Sequence, residues 1–139
     1  MHLWLLLALP FAAQADHSLK GRVYYPSDSA QPSYLFEARV EEKGDEIHNV
    51  SLYKALDGKV LVEEIADLKA GKLVSYSYKQ KQVDDYGDAT FANDVISMKF
   101  TEEGKPSTDT ENYDPATVVA PMIQPLLSRR WDEIGRAHV

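Results

Sequence analysis

The 139-residue sequence contains no cysteine. That absence excludes disulfides, thiolate nucleophiles, thiolate zinc sites and acylation at a lipobox cysteine. Histidine is nearly as scarce: His2 and His138 lie at the two ends, and only His17 and His48 remain between them. A histidine metal cluster has no members, so neither a metal nor any other cofactor is expected. Basic side chains are in deficit, 15 against 22 acidic for a net charge of -7, and only Arg129-Arg130 sets two cations side by side. Such a chain repels nucleic acid phosphates rather than collecting them. The sequence has no Gly-x-Gly-x-x-Gly phosphate loop and no Gly-x-Ser-x-Gly nucleophile elbow, and an enzyme is not the expectation. No apolar run approaches the roughly 20 residues that a helix needs to cross a bilayer.

The longest apolar run, Leu3 to Ala12, is closed by Ala13-Gln14-Ala15 and Asp16. Its length and the small residues at the first and third positions of that triplet fit a cleavable secretory signal peptide, residues 1–15. Cleavage after Ala15 predicts a periplasmic or secreted protein with no membrane span in its mature chain. At the other end, Ile134-Gly135-Arg136-Ala137-His138-Val139 matches, codon for codon up to the stop, a common sequencing adapter translated in one frame. Residues 134–139 are therefore expected to be adapter-derived. The protein proper is then a single β-rich domain over residues 16–133, incomplete at its C-terminus.

Within that domain Gly44, Gly58, Gly71, Gly87 and Gly104 recur at separations of 14, 13, 16 and 17 residues, mostly inside polar turn-forming clusters. Asp57-Gly58 and Asn93-Asp94 supply the positive backbone angles of tight hairpins. Between the turns apolar and polar residues alternate: Phe36, Ala38 and Val40 against Glu37, Arg39 and Glu41; Val74, Tyr76 and Tyr78 against Ser75, Ser77 and Lys79; Ile96, Met98 and Phe100 against Ser97, Lys99 and Thr101. Period-two alternation of this kind marks strands with one buried and one wetted face. Strands are expected near 19–25, 34–42, 46–55, 59–67, 72–82, 87–92 and 94–101. Long strands in a continuous antiparallel meander twist and curl, which predicts a half-barrel with a concave apolar side. A membrane barrel is disfavoured by Glu37, Arg39, Glu41, Lys79, Lys81 and Lys99 on the second face.

Beyond Asp109 the period changes. Asp114-Pro115 reads as a helix start, with Asp as N-cap and Pro at the first helical position. Val118, Val119, Met122, Ile123, Leu126 and Leu127 then recur at helical spacing, and Pro121 and Pro125 should kink or split the helix. Burying such a stripe stabilises by about 1.5–3 kcal/mol per side chain before entropy is counted. Its expected place is the concave face of the sheet.

Few residues carry chemistry. His48 lies in a strand and is weak as a general base, because no nucleophile elbow accompanies it. Asp84, Asp85 and Asp88 crowd one turn but lack the alternating spacing of a calcium loop. Glu63 and Glu64 are adjacent in a strand and must point to opposite faces. The inward one is expected at the rim, paired with Lys or Arg, or as a polar contact inside a cavity. Asn49-Val50-Ser51 matches a glycosylation triplet but lies in a strand and reads as coincidence. Strand propensity accounts for most of the eight tyrosines.

The signal segment, the long-stranded meander, Tyr113-Asp114-Pro115 and Arg129-Arg130 before Trp131 resemble an uncharacterised family of secreted bacterial domains. That family in turn is similar to periplasmic lipoprotein carrier and sorting proteins, in which a curled antiparallel sheet wraps a helix and an apolar cavity. The resemblance implies a non-enzymatic carrier or binder of a lipid or other hydrophobic ligand. The candidate cavity lining is Phe36, Val40, Val62, Val74, Tyr76, Ile96, Met98 and Phe100 from the sheet, with Val119, Met122 and Leu126 from the helix. The alternative is a cell-envelope module that meets a protein partner.

Overall fold

A computed structural model describes residues 14–25, 28–114 and 116–122. The apolar run Leu3 to Ala12, residues Ile123, Leu126 and Leu127, Arg129-Arg130-Trp131 and the tail 134–139 lie outside the described residues. The chain forms eight strands: β1 (Gln14–Val23), β2 (Tyr34–Lys43), β3 (Glu46–Lys54), β4 (Val60–Lys69), β5 (Lys72–Gln80), β6 (Asp85–Ala92), β7 (Val95–Glu102) and β8 (Lys105–Asn112). Each pairs antiparallel with the next in one open meander whose edges are β1 and β8. Among the described residues no helix is long and apolar enough to cross a membrane.

Turn chemistry sets this topology. Ala70-Gly71, Asn93-Asp94 and Glu103-Gly104 are two-residue hairpin loops with both residues at positive φ, 51° and 78°, 53° and 60°, 51° and 75° respectively. That backbone twist matches the twist of the strands it joins. Ala70 and Glu103 adopt it without the glycine or asparagine that suits it.

Seven strands were expected, and the eighth follows from what β8 lacks. All its residues are exposed, so it has no buried face to print an alternation, and Pro106 opposes Thr101 at the sheet edge where a missing N–H is tolerated. At the other edge, β1 pairs Gln14 with Lys43 and Ala15 with Glu42. Cleavage after Ala15 would make Asp16 and Glu41 the first pair.

One face of the sheet holds the core, and is called the inner face below. Val40, Ile47, Ala66, Leu68, Leu73 and Met122 form one buried cluster, against which Tyr76, Phe91 and Val119 pack. The core thus sits over β2–β5, capped by the segment after β8. Asp114 does cap a turn, accepting the Ala116 N–H at 2.8 Å. The helix, however, begins at residue 120 rather than at Asp114. Pro121 accounts for the shift: it cannot donate within a helix, but it fits the first turn, where its N–H would be unpaired anyway. Asn49 on β3 fastens this segment to the sheet by donating from Nδ2 to the Pro121 carbonyl.

Candidate functional site

Register decides which side chains share the inner face. From β2 through β4 it aligns Phe36, Tyr53 and Val62 in one row, Ala38, Ser51 and Glu64 in the next, and Val40, Asn49 and Ala66 in a third. On β5 and β6, Tyr78 and Gly87 extend the second row, while Tyr76 and Ala89 extend the third. Phe100 and Met98 on β7 continue both. The face is therefore apolar with a polar patch in its middle: Asn49, Ser51 and Glu64 are all buried.

Glu64 is the inward member of the carboxylate pair. No cation is paired with it among the described residues; instead the Tyr76 hydroxyl donates to its Oε1 at 2.7 Å. Tyr78 donates to Gln80 Oε1 at 2.5 Å. Burial pushes the Tyr76 hydroxyl far above its ordinary pKa, reinforced by the hydrogen bond to Glu64 and its charge. Tyr53 and Tyr78 are raised as well, by burial first; the Glu64 charge adds to both, and Asp85 to Tyr78. Tyr76 thus bonds the carboxylate directly, and Tyr78 lies beside it across the β4–β5 pair.

Beyond this patch the inner face opens into a groove of about 210 Å³ between β5 and β7, lined by Tyr76, Tyr78, Gly87, Ala89, Met98 and Phe100 with parts of Asp88 and Lys99. Gly87 makes room there. A Cβ at that position would stand 3.2 Å from Phe100 Cβ and 3.4 Å from the Lys99 carbonyl oxygen. Phe100 remains 39% exposed.

The expected lining divides accordingly. Val40 and Met122 belong to the filled core, with Tyr76 and Val119 packed on it. Phe36 is half-buried on the same face, its ring 5.2 Å from that of Tyr53, with Val62 beside them. Ile96, Met98 and Phe100 lie over the open part. Val74 does not join them. A bulge between Asp67 and Leu68 makes Val74 the extra residue of β5, so Leu73 (1% exposed) takes the core position and Val74 (43% exposed) turns away. Leu126 lies outside the described residues. Period-two reading missed Tyr53, Leu73, Ala89 and Phe91 on this face; counting alternation outward from the hairpin loops would have found Ala89 and Phe91, whereas Leu73 needs the bulge.

The outer face carries a second cluster in one cross-strand row of β3, β4 and β5: His48, Asp67 and Ser75. His48 Nδ1 lies 2.6 Å from Asp67 Oδ1, and Ser75 donates to Asp67 Oδ2 at 2.6 Å. Burial opposes ionisation of Asp67, but the hydrogen bonds from Ser75 and His48 outweigh it and lower its pKa. The carboxylate stands between serine and imidazole, so the serine hydroxyl donates to a weakly basic carboxylate and not to the imidazole that would activate it in a nucleophile dyad. Asp85 accepts the Glu103 N–H at 2.9 Å. Among the described residues no three His, Cys, Asp or Glu are gathered to hold a metal. No protein-family model, curated protein or solved structure matches the chain.

Proposed function

We propose that this protein is a non-enzymatic, exported binder of a lipid, acyl chain or similar hydrophobe, held against the inner face of the open sheet. One observation carries the reading: the apolar face continues past the filled core over β2–β5 into the β5–β7 groove, whose lining is Tyr76, Tyr78, Ala89, Met98 and Phe100. Apolar grooves with a few convergent polar groups are where small ligands are ordinarily held. Export is argued from the Leu3–Ala12 run and the Ala13-Gln14-Ala15 triplet.

The reading is tested by titrating the purified chain with an uncharged fluorescent long-chain alcohol. Saturable binding in the wild type, lost in Met98→Glu with the melting temperature retained, supports it. A wild type that binds no such probe, while crosslinking in the periplasm traps one protein partner, replaces it with the envelope-interaction alternative.

A further inference from the structure

The polar patch of the inner face holds one enclosed acceptor without a donor and one carboxylate without a cation among the described residues. Glu64 is only 9% exposed and meets no cation among the described residues. Its Oε1 takes the Tyr76 hydroxyl, and no described residue donates to Oε2. Ser51 lies beside it on β3 and Tyr78 on β5. One row away, Asn49 is 1% exposed. Donation from its Nδ2 to the Pro121 carbonyl fixes which way the amide points, because the flipped amide would set two oxygens against each other. Its Oδ1 is then enclosed with no donor among the described residues. A buried acceptor of this kind calls for a donor, and Asn49 Oδ1 is the one such side-chain atom among the described residues. The rings of Tyr53, Tyr76 and Tyr78 add π-faces that attract cations.

We propose that the inner face takes an amphiphile with a primary ammonium head, its N–H groups directed to Glu64 and Asn49 Oδ1 and its apolar body in the β5–β7 groove. This rests on the hydrophobe-binding reading and names the ligand class within it. A primary ammonium brings three donors and no acceptor. A carboxylate head would instead set a second negative charge beside Glu64, and a hydroxyl head offers one donor without charge. Tyr76 and Tyr78 belong both to the surround of the carboxylate and to the wall of the groove, so head and body sites adjoin. The same head chemistry occurs in free long-chain amines and in aminolipids.

The test is calorimetric titration of the full chain with dodecylammonium and dodecanoate below their micelle concentrations and with dodecanol below its solubility limit. Dodecylammonium is expected to bind roughly tenfold or more tighter than dodecanol, as a hydrogen-bonded charge requires. Glu64→Gln should erase that preference. A lysophosphatidylethanolamine arm identifies the source: tight binding supports an aminolipid, and binding of dodecylammonium alone supports a free amine. Equal affinity for all three chains overturns the head-group inference and leaves hydrophobe binding standing. A preference that survives in Glu64→Gln also overturns it, since the acidic surface would then be its cause. Failure of every chain to bind overturns both. Should Glu64→Gln not fold, the Glu64 carboxylate carbon resonance of the wild type decides. Its movement with dodecylammonium but not with dodecanol is expected, and a stationary signal overturns the inference.

Discussion

Tyr76 on β5 and Glu64 on β4 face each other across 2.7 Å on the buried side of the sheet, the phenol donating to the carboxylate. A carboxylate in that position has given up most of its water, and among the described residues it has gained one hydroxyl and no cation. The pair is the polar centre of an otherwise apolar face.

Tyr76→Phe removes the donor and leaves a buried acceptor, which should destabilise the fold by about 1–3 kcal/mol. Replacing both partners, as Tyr76→Phe with Glu64→Met, should cost less than the single change, because nothing is then left unpaired. Urea denaturation of the two variants measures the difference. A double variant no more stable than Tyr76→Phe would show that Glu64 is not strained by losing its partner.

Met122→Ala should lower stability by about 2–5 kcal/mol, the range for emptying a buried methionine site. Among the described residues Met122 is the one member of the core cluster that does not come from the sheet, so its loss uncaps the cluster over β2–β5. Thermal unfolding checks this, and hydrogen exchange at Ile47, Leu68 and Leu73 should quicken in the variant.

Ala70 holds φ at 51° in the β4–β5 hairpin. The left-handed region costs an ordinary L-residue on the order of 1 kcal/mol, and asparagine tolerates it better. Ala70→Asn should therefore raise the melting temperature, with Asn93→Ala in the β6–β7 hairpin lowering it by the mirror argument. Both are read in the same thermal scan.

Asp67 ties His48 to Ser75, and its pKa is lowered in the fold. A depressed carboxylate contributes stability that is present above its unfolded pKa, about 4, and is lost as pH falls through its folded value. Acidification below pH 4 should thus weaken the fold, and Asp67→Asn should flatten that part of the profile. Glu37, lowered by its bond to the Lys54 ammonium, acts in the same direction and remains in the variant. Urea midpoints collected from pH 6 down to pH 2 give both curves.

Most of the meander is legible in the sequence because a strand with one buried face prints its own period. Phe36-Glu37-Ala38-Arg39-Val40 reads directly as β2, and the glycine-bearing clusters mark the hairpins that join it to its neighbours. Legibility fails where a local event breaks the period. One bulge at Asp67/Leu68 exchanges Leu73 for Val74 at the core, and nothing in the residue types there announces it. β8 has no buried face and therefore no pattern. The polar patch was hidden for a different reason. Asn49 and Ser51 look like wetted positions until register places them inside, where Asn49 holds the Pro121 carbonyl. Pro121 itself was legible as an interruption of the helix but not as its start.

Hydrophobe binding in the β5–β7 groove is tested most directly by a methyl NMR titration of the full chain with dodecanol. The Met98 and Ala89 methyls, which line the β5–β7 groove, should shift saturably, while Ile47, Leu68 and Leu73 in the filled core hold still. Shifts confined to other methyls, or none up to the solubility limit of dodecanol, would contradict hydrophobe binding in the groove.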